Sequence, residues 1–434
     1  MSSFKSKLLN GFTWRLGLYA SSFILNIFIA NNFGAEGSGI FYLLLNNIAF
    51  VVLFTSLGLD SAIAYFTSRK EIGTSQLLSL SIVWSLVASG ALVLLYFACV
   101  QLNIVAPYDL APFIIINIGC TLLANCVASI LFATDDNSTP GLTFTLINVL
   151  LIVLLPGVLV NNIVANTEYI KLYLFVTALP AVVFVACLYF RSIRFGVSRP
   201  DNYWLKKIAS FSLQSFVNNM FYALLLRCDY WLVNYYSTDN DLGNYLQATK
   251  LTQIILLVPT LASFSLFPLI TSHIHQSKKI DTKLLKLVSI YFYIGVVMCT
   301  GVIAVGYWVF PLLYGQGFSK MYLCFVLLSP GVLMLAAAFP IATFFSGKNQ
   351  IRLRVIALFF SIVLLVVLDL LLIPRFNIYG AAIAGTVAYS FYFFYLLFQF
   401  KKLHDFQMME LLDIRPILQQ NFLGLFTKKN KDED

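Results

Sequence analysis

Long apolar runs dominate this chain and decide what it can fold into. Runs of roughly 20 to 30 mostly apolar residues follow one another, separated by short polar segments, and roughly 20 such residues are enough for a helix to cross a bilayer. The pattern predicts an all-α polytopic membrane protein with about twelve transmembrane helices. The predicted spans are residues 11–31, 40–66, 76–100, 108–133, 138–160, 168–190, 206–235, 243–272, 282–310, 320–346, 351–374 and 376–402.

The composition excludes a soluble domain and offers little material for catalysis. Hydrophobic residues make up 60% of the chain and charged residues 11%, whereas a soluble domain has about 25% charged residues. The seven cysteines lie in or beside apolar runs without a CxxC pair, and there are three histidines. We therefore expect no catalytic residues, no metal site and no cofactor.

The distribution of lysine and arginine predicts how the chain is oriented. If the N-terminus is cytoplasmic, the inner segments carry 22 of the 28 basic residues and the outer loops carry three. Cytoplasmic loops of membrane proteins are enriched in basic residues, so we expect a multi-pass membrane protein with both termini in the cytoplasm. The net charge of +9 then serves orientation and attraction to anionic membrane lipids, and no nucleic-acid partner is expected.

The two halves of the chain share a pattern that suggests an internal duplication. Gly39-x-Phe41 in the first half corresponds to Gly243-x-Tyr245 in the second, and each follows a long apolar helix. We expect two pseudo-symmetric six-helix lobes around a central cavity. The predicted domains are an N-lobe at 1–195, a C-lobe at 196–402, and an amphipathic cytoplasmic tail at 403–434 that frays toward its end.

Basic and amide side chains occur inside the predicted spans, where charges are costly and usually face a bundle interior or a watery cavity. We expect a hydrophilic cavity for an anionic substrate, because arginine stays charged and binds phosphate oxygens in pairs. The alternative is structural, since such side chains also reach the membrane surface or pair between helices. The predicted substrate-binding residues are Arg15, Asn26, Asn218, Arg227 and Lys250.

Three carboxylates also lie within spans. Asp60, Asp229 and Asp369 are predicted to line the cavity or to couple transport to an ion. Arg227 and Asp229 are two residues apart on a helix and therefore point in different directions, so Arg227 needs another helix, a ligand or water as its partner.

Several motifs together resemble the multidrug/oligosaccharidyl-lipid/polysaccharide flippase superfamily, and within it the bacterial polysaccharide and O-antigen repeat-unit flippases. The motifs are Phe33–Gly39, Leu57–Ala62, Arg227-x-Asp229, Leu242–Tyr245, Leu313–Phe318 and Leu372–Ala384. The resemblance extends over roughly residues 8–400. The chain departs from the family pattern at Asp369, where such proteins often have asparagine.

The resemblance implies transport rather than covalent chemistry. Its substrate would be an undecaprenyl-pyrophosphate-linked oligosaccharide, flipped to the outer leaflet for polysaccharide or lipopolysaccharide O-antigen synthesis. Its partners would be that lipid-linked oligosaccharide, membrane lipids, and the polymerase and glycosyltransferases of the same pathway. Three alternatives stay open: a cation-coupled multidrug exporter of the same superfamily, a membrane-bound polymerase or ligase, and a scaffold that transports nothing.

Overall fold

The computed structural model describes residues 4–104, 106, 108–134, 136, 138–158, 164–190, 201–257, 259–260, 277–348 and 350–403. These residues form helices and turns, with no strand in the described ranges. The predicted all-α fold class is therefore confirmed. The basic link near residues 191–200 and the predicted tail beyond residue 403 lie outside the described residues.

The chain divides into two compact units, Met1–Met220 and Phe221–Asp434, here called unit 1 and unit 2. The described helices of unit 1 are α1 (Phe4–Ser56), α2 (Leu59–Arg69), α3 (Thr74–Gln101), α4 (Ala111–Ala133), α5 (Ser138–Val158), α6 (Val164–Phe190) and most of α7 (Asn202–Arg227). Within this unit α4 packs against α2, α3 and α6, and α5 packs against α1. The division falls inside α7, whereas the lobe boundary predicted at residue 195 precedes that helix.

Unit 2 has a short N-terminal pair of helices followed by four long ones. Its described elements are α8 (Asp229–Tyr236), α9 (Asp239–Ile255), α10 (Ser277–Tyr314), a 3₁₀ turn (Gln316–Phe318), α11 (Met321–Gly347), α12 (Ile351–Phe376) and α13 (Ile378–Leu403). Helix α11 packs against α9, α10 and α13, and α13 also packs against α12. The α11–α13 contact is close because Gly331 has no side chain: a Cβ there would lie 2.5 Å from Thr386 Cα.

Eight helical segments among the described residues are long and apolar enough to cross a membrane. One of them, Leu16–Ser56, has 41 residues and would extend over about 60 Å at the usual helical rise, which is twice the hydrocarbon thickness. It covers most of the span predicted at 11–31 and the first part of the span predicted at 40–66. The spans predicted at 76–100 and 351–374 coincide with α3 and α12 to within a few residues.

Two glycines interrupt the long N-terminal helix. Gly34 has φ 67° and ψ −174°, a combination that is open essentially to glycine alone, and it separates the first two predicted spans. Gly58 has φ 74°, and a Cβ there would collide with the backbone of Ser212 and Phe216 in α7. The span predicted at 40–66 is therefore wrong as a single helix, because α1 ends at Ser56 and α2 begins at Leu59.

The span predicted at 206–235 is also interrupted. Helix α7 ends at Arg227 and α8 begins at Asp229. Cys228 between them keeps right-handed helical angles of φ −70° and ψ −26°, so the backbone stays helical between α7 and α8. This local change sets the directions of Arg227 and Asp229, which belong to the functional residues described next.

Candidate functional site

Three basic side chains of unit 2 are related through electrostatic interactions with one another or with a shared tyrosine. Arg227 is the last residue of α7, and Lys250 on α9 lies within electrostatic range of it. Arg354, in the first turn of α12, shares the surroundings of Tyr222 with Arg227. We call Arg227, Lys250 and Arg354 the basic cluster. Sequence reasoning identified Arg227 and Lys250 as substrate-binding candidates, whereas it counted Arg354 only among the cytoplasmic basic residues that orient the chain.

The cluster is rich in tyrosine and poor in acidic partners. Arg354 hydrogen-bonds Tyr392 and donates from Nη1 to Ser346 Oγ at 3.4 Å, while its Nε is buried and makes no hydrogen bond within the described residues. Arg227 forms no ion pair or hydrogen bond in that part of the chain. A cationic group with spare donors suits a phosphate-bearing or other anionic ligand.

Two carboxyl groups also lie together in unit 2, and one of them, Asp229, is two residues from Arg227. Asp229, at the start of α8, and Asp369, on α12, are fully buried, and their charges are close enough to interact. Tyr245 donates its hydroxyl proton to Asp229 Oδ2. Asp229 Oδ1 and both carboxyl oxygens of Asp369 make no hydrogen bond within the described residues. We call these two residues the acidic pair.

The acidic pair has a consequence for ions. Two neighbouring carboxyl groups in a medium of low dielectric constant cannot both be charged without a counter-ion. Arg227 does not supply one, and the two-residue spacing had predicted that it points away from Asp229. The pair therefore suits a bound proton or a small cation. Sequence reasoning named both residues but did not predict that they are close in space, since they lie on different helices.

Unit 1 contains a pocket of about 390 Å³ between α1, α2, α4 and α6. Apolar residues of α1 form one wall, and Tyr173 lies on another side. The polar lining residues are Ser56, Asp60, Asn117, Thr121, Asn125 and Thr177. Asp60 is thus a cavity residue in the structure, and it stands directly after the helix break at Gly58.

The remaining predicted residues lie in unit 1. Arg15 belongs to α1, but its side chain is outside the described part of the structure. Asn26 is half-buried on the same helix. Asn218 on α7 donates to Asn219 Oδ1 at 3.4 Å, and Asn219 in turn donates to Ser61 Oγ at 3.4 Å. A role for these three residues in substrate binding stays a prediction.

A polar network in unit 2 was not anticipated. Asp241 accepts from Lys320 Nζ at 2.5 Å and from Asn377 Nδ2 at 2.6 Å, and the hydrogen bond with Asp241 raises the pKa of Lys320. Asn244 donates to the Gly317 carbonyl and accepts from Met321 N. This network, here called the loop network, joins the N-terminus of α9, the 3₁₀ turn, and the α12–α13 connection. Its sequence signal was the Leu372–Ala384 motif, which contains Asn377.

The sequence profile of the family described as "Polysaccharide biosynthesis protein" matches residues 12–274, which is more than half of the 434 residues. The chain belongs to this family. No curated protein matches the sequence closely enough to count as a relative. The family membership confirms the resemblance inferred from the motifs, and it makes the basic cluster and the acidic pair features of a polysaccharide biosynthesis protein.

Solved structures of transporters share the fold of this family member. An inward-facing multidrug resistance MATE transporter of the MOP superfamily aligns with a TM-score of 0.70 at 15% identity, covering 89% of this chain and 94% of that one. The lipid II flippase MurJ, in an inward closed conformation, aligns with a TM-score of 0.68 at 16% identity, covering 92% and 89%.

A third structure raises the question of pocket charge. A MOP-superfamily transporter from Pyrococcus furiosus, for which a reversed polarity of the binding pocket is taken to suggest a different function, aligns with a TM-score of 0.66 at 14% identity, covering 92% and 94%. At these identities the matches establish the fold of the polysaccharide biosynthesis protein, which is that of MOP transporters and flippases. The transported substrate depends on the side chains of this chain, which differ from those of the matched structures.

Proposed function

We propose that this chain flips a lipid-linked oligosaccharide from the cytoplasmic to the outer leaflet of the bacterial cytoplasmic membrane. The carrier would be undecaprenyl pyrophosphate, the two lobes would alternate access to the two sides, and both termini would be cytoplasmic. The product would feed polysaccharide or O-antigen synthesis, alongside the polymerase and glycosyltransferases of that pathway. The basic cluster is the observation that carries the proposal.

The chemistry of the cluster fits a pyrophosphate better than it fits a cationic drug. Arg227 has no acidic partner among the described residues, and Arg354 keeps a buried Nε without an acceptor. Arginine can donate two parallel hydrogen bonds to phosphate oxygens and holds its charge in an apolar setting. Tyr222, Tyr230 and Tyr392 around the cluster supply hydroxyls and ring faces that suit sugars. Arg15, Asn26 and Asn218 are proposed as additional substrate contacts.

The acidic pair is proposed as the coupling site. A proton or small cation bound between Asp229 and Asp369 would remove the charge repulsion of the pair. Exchange of that ion between the two sides of the membrane would then bias the unit between two conformations. This step requires no covalent chemistry from the protein.

Substitutions of the two arginines, with a control on the helix of Arg354, test the proposal. In cells that depend on this chain for surface polysaccharide, Arg354→Ala and Arg227→Ala should each lower the polysaccharide at least about tenfold, because a buried charged contact to phosphate is lost. Arg352→Ala is the matched control, since Arg352 is exposed and two residues from Arg354. The amount of protein in the membrane is measured in parallel. Normal polysaccharide in both cluster variants would contradict the proposal.

The acidic pair also favours a second candidate, a cation-coupled multidrug exporter. Buried carboxylates suit cationic drugs, and a MATE transporter is among the structures with this fold. Accumulation of cationic dyes separates the two candidates. An exporter would lower dye accumulation, and this effect would require Asp369 but would be unchanged by Arg354→Ala. A flippase would export no dye, and its polysaccharide output would require the basic cluster.

A further inference from the structure

Aromatic and basic side chains meet at the end of unit 1 where α2 finishes and α7 begins, apart from the sites described above. The Lys207 ammonium lies 4.7 Å from the ring centre of Trp204 and 5.8 Å from that of Phe66. The Arg69 guanidinium lies 4.8 Å from the ring centre of Tyr65. Phe66 and Trp204 pack edge to face at 6.1 Å. Aromatic rings from two helices therefore support two positive charges at the same place.

Positive charge exceeds negative charge at this end of unit 1. Lys70 and Lys206 join the two cations, and all four basic side chains are exposed. Glu71 accepts from Arg69 Nη1 at 3.3 Å and from Lys207 Nζ at 3.2 Å, so one carboxylate contacts two of the four cations. Lys70 and Lys206 form no ion pair within the described residues. We call Arg69, Lys70, Lys206 and Lys207 the basic rim, and its surplus charge is open to an anion.

The backbone conformation of Lys70 is unusual for a lysine. Lys70 has φ 55° and ψ 28°, the left-handed conformation in which helices commonly end on glycine. Its backbone N–H donates to the carbonyls of Phe66 and Thr67, and this cap makes no use of the lysine side chain. A side chain other than that of glycine costs free energy in this conformation. A lysine at such a strained position points to a use for its charge outside the fold.

The aromatic residues also indicate where the membrane surface lies. Tyrosine and tryptophan are enriched where the hydrocarbon region meets the lipid headgroups, and Tyr203, which packs against Trp204 at 5.3 Å, is 67% exposed. The stems of Lys206 and Lys207 point back toward the N-terminus of α7, so their ammonium groups reach the level of these two rings. The basic rim therefore lies at the depth of lipid phosphates, on the side of the membrane predicted to be cytoplasmic.

We propose that the basic rim binds the phosphodiester headgroup of an anionic membrane phospholipid, whose acyl chains stay in the bilayer. Lys70 and Lys206 contact the phosphate, while Arg69 and Lys207 are held in place by the aromatic rings and by Glu71. Clusters of basic residues at the membrane surface are typical recognition sites for anionic lipids. The proposal goes beyond the general attraction exerted by the net charge of +9, because it assigns one saturable site to four residues. It is also independent of the proposed flipping activity.

Binding of phosphatidylglycerol to the purified full-length protein in an uncharged detergent tests the proposal, with bound lipid counted by native mass spectrometry. Phosphatidylcholine, which has no net charge, is the comparison lipid, and we expect phosphatidylglycerol to bind saturably and at least about tenfold more tightly. The double variant Lys70→Gly/Lys206→Gln should weaken its binding at least about tenfold, because two positive charges are lost. Lys401→Gln/Lys402→Gln is the matched control, since these are exposed neighbouring lysines at the end of α13, and it should leave binding unchanged.

The single variant Lys70→Gly separates lipid binding from a structural role. It relieves the left-handed lysine, which offsets the greater freedom of glycine in the unfolded chain, so the melting temperature in detergent should be unchanged or higher while lipid binding weakens.

Three results would overturn the proposal. Equal loss of phosphatidylglycerol in the two double variants would mean that net charge alone attracts the lipid. Equal binding of phosphatidylglycerol and phosphatidylcholine would mean that the headgroup charge is not recognised. Displacement of the lipid by inorganic phosphate at constant ionic strength would assign the basic rim to free phosphate. The basic-cluster test is unaffected by each of these results, because it measures polysaccharide.

Discussion

Both units place aspartate in the apolar part of the chain, yet they surround it differently. Asp60 in unit 1 is half-buried beside a pocket with neutral oxygen atoms and a helix end. Asp229 and Asp369 in unit 2 are fully buried and close enough to interact, and the Tyr245 hydroxyl donates to Asp229. The first carboxyl group lies beside a pocket, and the second arrangement packs two carboxyl groups close to each other.

The difference follows from the backbone. In unit 1 the chain leaves its helical course at Leu57–Gly58, which exposes a helix end and opens the pocket. In unit 2 the chain keeps helical angles through Cys228, so Asp229 remains inside a packed helix and meets Asp369 side by side. The break in unit 1 thus leaves a carboxyl group beside a pocket, whereas the continuous helical course in unit 2 leaves two carboxyl groups packed in the interior.

The largest effect is expected from closing the break in unit 1. Gly58→Ala forces a left-handed residue to carry a Cβ that collides with the backbone of Ser212 and Phe216. We expect a loss of about 3 kcal/mol or more in stability, seen as a lower melting temperature in detergent. Gly90→Ala, in a helix position where a Cβ meets nothing within 4 Å, should be neutral or slightly stabilising. An unchanged melting temperature in Gly58→Ala would remove the basis for the comparison.

The acidic pair offers a sharper test within unit 2. Asp369→Leu removes a buried carboxyl group that makes no hydrogen bond among the described residues, so stability should be unchanged or higher. Asp229→Leu leaves the Tyr245 hydroxyl without its acceptor and should cost about 1–3 kcal/mol. Both should stop transport if the pair binds the coupling ion. Thermal unfolding and polysaccharide measured together decide this: equal destabilisation of the two variants would show that Asp369 is structural.

The positions of the helices along the chain were largely predictable from the sequence. The contacts between residues on different helices were not. Helix α3 and α12 coincide with predicted spans because hydropathy and bilayer thickness act on consecutive residues. The break before Asp60 was missed because its cause is the close approach of Gly58 to α7, far along the chain. The loop network was missed for the same reason, since Asp241 and Asn377 are joined only in three dimensions.

The functional residues show the same limit. Charged residues inside spans were correctly singled out as unusual, because burial of charge is costly wherever the helix lies. Arg354 was counted only among the cytoplasmic basic residues, and only the structure shows that it and Arg227 both influence Tyr222. The pairing of Asp229 with Asp369 depends on how α8 packs against α12, which no local pattern reports.

The smallest effects are expected at two ion pairs, which extend the comparison to the ends of the helices. In unit 1 Glu71 is half-buried and accepts from Lys207 at 3.2 Å, and this contact lowers the pKa of Glu71. In unit 2 Lys320 contacts the buried Asp241 at 2.5 Å, and this contact raises the pKa of Lys320. Lys320→Met should cost below about 1 kcal/mol, because the lysine is partly exposed and screened by solvent.

The two pairs should lose their contributions at opposite ends of the pH scale. A lysine whose pKa is raised in the folded state stabilises the fold below its unfolded pKa, near 10.4, and the contribution is lost as pH rises through the folded value. A glutamate whose pKa is lowered stabilises the fold above its unfolded pKa and loses the contribution as pH falls. The melting-temperature difference between wild type and Lys320→Met should thus shrink above about pH 10, and that between wild type and Glu71→Gln only below about pH 4. A Lys320→Met difference that stays constant up to pH values well above 11 would mean that packing of the lysine stem, and not its charge, joins the loop network.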